Sequence, residues 1–240
     1  MFKLEKVKGI LFDYGGTIDS NGRHWSEVIW EGYQNFHVPV DKENFREAYV
    51  FAEQTMGKSL LVLPEHNFLN MMEIKIDLQM MWLLEQGFLK DKIQAKKNAM
   101  AISFWCYGYA KHTATTARPI IEKLCERYPL VLVSNFYGNI STVLKDFELD
   151  SFFPWIIESA VIGIRKPDPA IFRLGVEKLQ LPVDRIAVIG DSYSKDIVPA
   201  ASLGCQTIWL KNKGWCEYSG KETADAVITD FSALEELFKL

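Results

Sequence analysis

The stretch ILFDYGGTIDS, residues 10–20, decides how this sequence can be interpreted. It starts with three apolar residues, a pattern typical of a strand that is covered on both faces of a parallel sheet. The apolar run ends at Asp13 and leads into Gly15 and Gly16, which let the backbone turn and approach a ligand closely. Open α/β sheets bind ligands at the carboxyl ends of their strands. The stretch therefore predicts a buried strand that presents Asp13 to a ligand.

The composition of the chain argues against several classes of protein. Its 240 residues suffice for one large domain or two small ones. The 27 basic and 31 acidic residues give a formal charge of -4 without a block rich in Lys or Arg, unlike a nucleic-acid-binding protein. The longest apolar stretch, residues 99–110, is too short to span a membrane, and the charged N-terminus does not resemble a signal peptide. We therefore expect neither a nucleic acid nor a membrane as a partner.

The cysteines predict a reducing environment. Cys106, Cys125, Cys205 and Cys216 are scattered along the chain and lack the CxxC spacing of a metal site. Proteins of the cytoplasm usually keep their thiols reduced. We therefore predict free cysteines and a cytoplasmic location.

A long helical region follows the first strand. Residues 26–98 are rich in aromatic residues and Met, and MMEIKIDLQMMWLLEQG at 71–87 repeats apolar residues at helical spacing before it stops at Gly87. We interpret this region as an insertion between the first strand and the rest of the sheet. The predicted helical cap domain covers residues 19–112.

From residue 118 onward, short apolar runs alternate with helical patterns, which favours a mainly parallel sheet. We predict a doubly wound, Rossmann-like α/β core domain formed by residues 1–18 and 113–240, with the Asp13 strand at its centre. The later strands are predicted in PLVLVSN, FPWIIES, RIAVIGDS, CQTIWLK and DAVITD.

Polar side chains stand at the ends of several predicted strands and just before one helix. Because parallel strands bring their carboxyl ends to one edge of a sheet, we expect these side chains to form a single site. Two carboxylates supply hard oxygen ligands for Mg²⁺, while a lysine and a hydroxyl group supply donors to a phosphoryl group. A carboxylate can also act as a nucleophile and form an acyl phosphate. The candidate residues are Asp13, Ser134, Asn135, Lys166, Asp191 and Asp196.

Four motifs, in this order and spread over both ends of the chain, resemble the haloacid dehalogenase superfamily of phosphohydrolases. They are DYGGT at 13–17, the strand-end Ser134, RKPDP at 165–169 and GDSYSKD at 190–196. The resemblance covers the predicted core domain, and the helical insertion corresponds in position to a family cap. It implies an Mg²⁺-dependent hydrolase of a small phosphorylated metabolite that works through an aspartyl-phosphate intermediate.

The resemblance also implies roles for individual residues. Asp13 would be the nucleophile and a metal ligand, together with the backbone carbonyl of Gly15 and the carboxylate of Asp191. Asp196 would support the metal site, although an acid at this position could equally cap the helix that starts near Ser194. The residues that would hold the turn or bind the phosphoryl group are Thr17, Ser134, Asn135 and Lys166.

The sequence departs from the family pattern at Gly15. Phosphatases of this family usually carry a second Asp there, which acts as general acid and then as general base. Such help is typically worth about 10^2 to 10^4 in rate. The stretch from Thr17 to Asp19 is also one residue shorter than usual. His24 is a candidate for a substitute acid.

Two alternatives remain open at this point. The phosphonate-cleaving branch of the family also lacks the second Asp and uses a cap lysine as a Schiff base, for which Lys58 is a candidate. The chain could also be a binding protein that keeps the metal and phosphate sites with little turnover. The dehalogenating branch fits poorly because GDSYSKD predicts a metal site.

Overall fold

The computed structural model of the protein describes residues 1–215, 218, 220 and 222–240. Within this part of the chain, six strands form one sheet in which every pair is parallel. The strands are β1 (Gly9–Phe12), β2 (Leu130–Ser134), β3 (Trp155–Glu158), β4 (Ile186–Gly190), β5 (Gln206–Leu210) and β6 (Ala226–Ile228). Their order is β3-β2-β1-β4-β5-β6, so the strand before Asp13 is central. The predicted doubly wound α/β fold and its strands are confirmed.

Helices lie in each of the connections between consecutive strands from β1 to β5, as parallel pairing usually requires. Four helices lie between β1 and β2: α1 (Trp25–Asn35), α2 (Lys42–Lys58), α3 (Phe68–Glu85) and α4 (Lys92–Cys125). The remaining ones are α5 (Ile140–Asp146), α6 (Ser159–Ile162), α7 (Ala170–Leu179), α8 (Val198–Leu203) and α9 (Ala233–Phe238).

The insertion after β1 is helical, as its periodicity predicts. Local signals explain where its helices begin: Asn67 and Asn70 form a reciprocal capping box at the start of α3, and the Asp91 carboxylate accepts hydrogen bonds from the first backbone N–H groups of α4. Helix α4 runs through the predicted boundary at residues 112 and 113. The division into a core domain and a cap domain therefore stays a prediction, and one continuous helix belongs to both parts.

The central strand is buried on both faces. Ile10 and Phe12 belong to an apolar cluster on one face of the sheet, which also contains Ile121 of α4. Leu11 points to the opposite face and belongs to a second cluster with Phe172 of α7. This alternation follows from the two-residue period of a strand. Because both faces of β1 are covered by apolar residues, the chain first meets polar residues at the carboxyl end of the strand.

The structure also bears on the predicted free cysteines and on the predicted absence of a membrane-spanning helix. Cys106, Cys125 and Cys205 carry free thiols, whereas Cys216 lies outside the described residues. None of the described helices combines the length and the apolar character needed to cross a membrane. The cytoplasmic location and the absence of a nucleic-acid partner stay predictions.

Because β1 is buried between apolar clusters on both faces of the sheet, truncating one of its side chains should destabilise the protein. Leu11 is 0% exposed in the central strand, whereas Val227 is 45% exposed in the edge strand β6. We expect Leu11→Ala to lower the free energy of unfolding by about 2–5 kcal/mol, because the truncation leaves a cavity between the sheet and α7. Val227→Ala, the matched control, should change it by less than about 1 kcal/mol. Urea unfolding followed by circular dichroism measures both, and equal losses would contradict this account of the core.

Candidate active site

The sheet register brings the predicted site residues to one edge. Phe12 pairs with Leu132 of β2 and with Ile189 of β4. Asp13 therefore lies at the end of the central strand, with Ser134 and Asp191 at the ends of its two neighbours. This is the point where the strand order reverses, which is where open α/β sheets bind their ligands.

Lys166 connects two of the carboxylates. Its Nζ atom donates hydrogen bonds to Asp13 Oδ1 at 2.6 Å and to Asp196 Oδ1 at 2.7 Å. Only 2% of the lysine side chain is exposed. Burial by itself would lower the pKa of Lys166, but the charges of Asp13 and Asp196 outweigh burial and raise it above its usual value. The ammonium group is therefore charged and fixed in place.

Thr17 links the glycine turn to both strand ends. Its hydroxyl group donates a hydrogen bond to Asp13 Oδ2 at 2.7 Å and accepts one from the backbone N–H of Asp191 at 3.1 Å. The second carboxylate oxygen of Asp13 is thus oriented by Thr17, while the first is held by Lys166. Thr17 and Lys166, two of the predicted site residues, thus both contact Asp13 directly.

The two glycines of the turn differ in what they require. Gly16 has a φ of +98°, and a Cβ atom added there would lie 2.5 Å from Asp191 Oδ1. Gly15 lies outside the left-handed region, and a Cβ atom at this position would meet no described atom within 4 Å. The turn therefore needs glycine at position 16, whereas position 15 has room for a side chain.

Ser134 and Asn135 follow one another at the end of β2 but have different surroundings. Ser134 is 1% exposed, and its Oγ atom has no hydrogen-bond partner among the described residues. An unpaired buried hydroxyl of this kind is a candidate for a ligand contact, although Ser134 itself does not belong to the lining of the cavity above this edge. The Asn135 side chain instead accepts a hydrogen bond from the backbone N–H of Lys166 at 2.9 Å and donates one to its carbonyl at 3.1 Å. Asn135 therefore positions Lys166.

The carboxylates of Asp13, Asp191 and Asp196 offer oxygen atoms that all lie within 4.8 Å of one another. When all three are ionised, these groups carry two negative charges more than the single ammonium group of Lys166 neutralises. Burial, followed by the charge of Asp13, raises the pKa of Asp191 well above its usual value, and burial also raises that of Asp196 although Lys166 opposes it. A set of hard oxygen donors with two excess negative charges fits Mg²⁺.

Asp196 also has a structural contact, so the two interpretations of this residue are compatible. It lies in a π-helical turn, Tyr193–Ile197, that follows β4. Asp196 Oδ2 accepts a hydrogen bond from the backbone N–H of Ser192 at 3.0 Å, while its other oxygen contacts Lys166. The same carboxylate thus ties down the start of the turn and takes part in the charged cluster.

A cavity of about 470 Å³ opens above the cluster, between the sheet edge and the helical insertion. Asp13, Lys166 and Asp191 line it from the sheet. The sequence analysis missed several residues that line it from elsewhere: Trp25, Tyr49, Glu53, Lys75 and Tyr137. A signal for one of them is present in the sequence, because Lys75 stands four residues after Met71 and therefore on the buried face of α3.

Asp19 is a further residue of the cavity wall that the sequence analysis did not assign to the site. It is 0% exposed, and its oxygens accept hydrogen bonds from the backbone N–H of Gly16 at 2.7 Å and from Trp25 Nε1 at 3.0 Å. Burial raises its pKa to about 7, although these two hydrogen bonds oppose the shift. Asp19 thus closes the shortened turn and fixes it to the start of α1.

His24 lines the cavity, but its contacts do not suit a proton donor. It is the N-cap of α1, and its Nδ1 atom accepts a hydrogen bond from the backbone N–H of Ser26 at 3.2 Å. Burial first, and then the charge of Lys195, lowers the pKa of His24 to about 4. The ring is therefore neutral at pH 7 and lacks the proton that a general acid has to give.

Comparison with known proteins places this geometry in context. The model of a family described as haloacid dehalogenase-like hydrolase matches residues 7–204. The chain is 33% identical to glyceraldehyde 3-phosphate phosphatase of Pyrococcus furiosus over 94 residues, which are 38% of the chain and 39% of that protein. It is 26% identical to the 5-amino-6-(5-phospho-D-ribitylamino)uracil phosphatase YigB of Escherichia coli over 129 residues, 54% of the chain and 52% of that protein.

These matches span roughly two fifths to half of the length of the two curated relatives. Among solved structures, the chain is similar to the HAD-hydrolase YfnB of Bacillus subtilis, whose structure was solved with bound magnesium. The TM-score is 0.60 at 16% identity, and the similarity covers 98% of the chain and 99% of YfnB. At this identity the structural likeness shows the fold.

The different surroundings of the two glycines generate a second prediction. We expect Gly16→Ala to lower the free energy of unfolding by about 2 kcal/mol or more, because the new Cβ is strained at positive φ and overlaps Asp191. Gly15→Ala should be neutral or stabilise the protein by up to about 1 kcal/mol, since the position is open and the unfolded chain loses freedom. Thermal unfolding measures both variants. A larger loss for Gly15→Ala than for Gly16→Ala would contradict the turn geometry.

Proposed function

The chain belongs to the haloacid dehalogenase-like hydrolases, and from this premise we propose that it is an Mg²⁺-dependent phosphohydrolase that forms an aspartyl phosphate on Asp13. The family membership confirms the resemblance predicted from the four motifs. The observation that carries the proposal is the buried contact of Lys166 with Asp13 at the floor of a cavity. The substrate would be a small phosphorylated metabolite.

Asp13 would carry out two steps. In the first, a carboxylate oxygen of Asp13 attacks the phosphorus atom, and the bond between phosphorus and the leaving-group oxygen breaks. In the second, a water molecule attacks the phosphorus atom of the aspartyl phosphate, releasing inorganic phosphate and restoring the carboxylate. Thr17 and Lys166 hold the Asp13 carboxylate in one orientation, which reduces the entropy lost on reaching the transition state.

The remaining site residues would bind charge. Lys166 donates to the cluster on which the phosphoryl group would sit, and the unpartnered Ser134 hydroxyl is available to a phosphoryl oxygen. Asp13, Asp191 and the backbone carbonyl of Gly15 would hold Mg²⁺, with Asp196 in support. When bound, the ion supplies positive charge that stabilises the transferring phosphoryl group.

Gly15 limits the leaving groups that such a site can expel. An alkoxide leaving group needs a proton, and position 15 has no side chain that can give one. His24 is neutral at pH 7 and does not replace it. The carboxylate released from an acyl phosphate needs no proton, so the absence of an acid at position 15 affects activated phosphoryl donors least.

The comparisons support phosphate esters or anhydrides as the substrate class, because both curated relatives are named phosphatases. The phosphonate alternative is less well supported by the lysines of the cavity. Lys58 ends α2 and is exposed, whereas a Schiff-base lysine loses its proton most easily in a desolvated site. Lys75 is buried, but the charge of Glu53 outweighs burial and raises the pKa of Lys75, so that it stays an ammonium group.

Turnover of acetyl phosphate tests the proposal and separates it from a protein that only binds. We expect wild-type protein to release phosphate from acetyl phosphate when Mg²⁺ is present. Asp13→Asn should reduce the rate by about 10^3-fold or more, as expected for loss of a nucleophile. Asp191→Asn should abolish the dependence of ligand binding on Mg²⁺ in calorimetric titrations. Asp150→Asn, outside the cavity, is the control, and an Asp13→Asn variant that keeps full turnover would overturn the assignment.

Restoring an acid at position 15 tests the role of the glycine. We expect Gly15→Asp to raise turnover of alkyl phosphates toward the 10^2 to 10^4 typical of acid-base help, and to raise turnover of acetyl phosphate much less. Gly15→Asn fills the same open space without a proton and is the matched control. If wild-type protein hydrolyses alkyl phosphates at about 10 per second and His24→Ala removes that activity, the acid is His24 and our interpretation is wrong.

A further inference from the structure

An apolar surface on the outside of the helical insertion is separate from the cavity. Helices α3 and α4 follow one another through a short connection at residues 86–91 and pack together as an antiparallel hairpin. Met81 of α3 is 56% exposed, and Ile93 and Met100 of α4 are 72% and 53% exposed. The chemistry proposed for Asp13 uses none of these three side chains.

Helical periodicity places the exposed side chains on one face of each helix. Ile93 and Met100 are seven residues apart in α4, which is close to two full turns. Met81 of α3 is likewise seven residues from Ile74, which is partly buried at the edge of the apolar core. Each helix thus offers two apolar side chains on one face.

The charges of Asp77 and Lys96 show that these two helix faces point the same way. Both residues are exposed. Burial raises the pKa of Asp77 and the nearby charge of Lys96 opposes this shift, so the two groups lie close together across the outside of the hairpin. Counting from this pair along antiparallel helices gives three levels, which form what we call the outer face of the hairpin. Toward the connecting loop, the levels are Ile74 with Met100, Asp77 with Lys96, and Met81 with Ile93.

The outer face is turned away from the cavity. The cavity is lined by Met71, Met72 and Lys75, which belong to the buried side of α3. A partner on the outer face would therefore leave the cavity open.

We propose that the outer face binds a second copy of the chain in a weak symmetric dimer. A two-fold axis that runs along the groove between α3 and α4 places α3 of each copy over α4 of the other, at the same level. Apolar pairs then meet apolar pairs, and Asp77 of each copy meets Lys96 of the other. A two-fold axis that crosses the helices at this level would instead bring the two Asp77 carboxylates together, and like charges oppose such a contact. The order of apolar and charged pairs therefore selects the axis along the groove.

The size of the outer face indicates how stable this dimer would be. Helix α3 has 18 residues and is therefore about 27 Å long, and two helices of about 10 Å diameter make the face about 20 Å wide. Such a face would bury about 540 Å² on each copy, or about 1,100 Å² in total, just above the roughly 1,000 Å² that a specific interface needs. The outer face therefore suffices for a transient dimer, with a dissociation constant in the micromolar range.

Analytical ultracentrifugation over a micromolar concentration series measures this dimer. We expect wild-type protein to change reversibly from monomer to dimer as its concentration rises. Ile93→Ser should raise the dissociation constant by at least about tenfold, because the interface loses a buried apolar side chain from each copy. Val161 is also 72% exposed but lies in α6, outside the insertion, so Val161→Ser is the matched control and should leave the dissociation constant unchanged.

Charge reversal tests the pairing itself. Asp77→Lys and Lys96→Glu should each weaken the dimer by about tenfold or more, because each copy then meets a like charge. An equimolar mixture of the two variants should form a heterodimer about as stable as the wild-type dimer, since both contacts between the copies then pair a lysine with an acid. Asp150→Lys reverses an exposed charge away from the outer face and is the control.

Three results would overturn the inference. Wild-type protein that stays monomeric up to hundreds of micromolar would leave the outer face to a different partner or to none. A dimer that neither charge reversal weakens would use another surface. Charge-reversed variants that form no dimer when mixed would contradict the two-fold pairing. Hydrolysis of acetyl phosphate by the outer-face variants should stay at the wild-type level, so the dimer and the proposed function can fail independently.

Discussion

The buried ammonium group of Lys166 determines how the rest of the site can be arranged. Asp13 follows β1 and Asp196 lies in the π-helical turn after β4, and their carboxylates share this one cation within 2.7 Å. Without it, the closely spaced carboxylates of Asp13, Asp191 and Asp196 would repel one another. Removing one partner of a buried ion pair such as Asp13 and Lys166 typically costs about 3–5 kcal/mol. Asn135, which directly follows β2, fixes the backbone of Lys166. At this edge of the sheet, where the apolar cores end, ion pairs between Lys166 and the carboxylates hold the segments together.

Much of the sheet and of its charged edge could be predicted because the signals are local. An apolar run such as ILF commits a segment to a buried strand, and a polar residue directly after it has to lie at the strand end. Parallel pairing then brings Asp13, Ser134 and Asp191 together although they are far apart in the sequence. Thr17 and Lys166 were assigned to the site because DYGGT and RKPDP resemble motifs of the family, and both side chains contact Asp13.

The parts that could not be predicted depend on contacts between elements. Glu53, Lys75 and Tyr137 meet only because α2 and α3 pack over the loop after β2, and no local pattern encodes that docking. The sequence predicts that the turn needs glycine but does not say at which of the two positions. The structure shows that Gly16 faces Asp191, whereas Gly15 faces open space. The low proton affinity of His24 likewise arises from its burial and from Lys195, which is remote in sequence.

Helix α4 has a mechanical consequence for the cavity. Its first half packs against α3 in the insertion, and its second half buries Ile121 and Leu124 with the sheet residues. One of the two connections between the insertion and the sheet is therefore a continuous helix rather than a loop. A helix bends less easily than a loop, so it restricts how far the insertion can move. Pro119 removes one backbone hydrogen bond within this helix and makes that turn its most compliant point. Any widening of the cavity that moved α3 away from Tyr137 would therefore require α4 to bend, and the turn at Pro119 is where bending would disturb the fewest backbone hydrogen bonds.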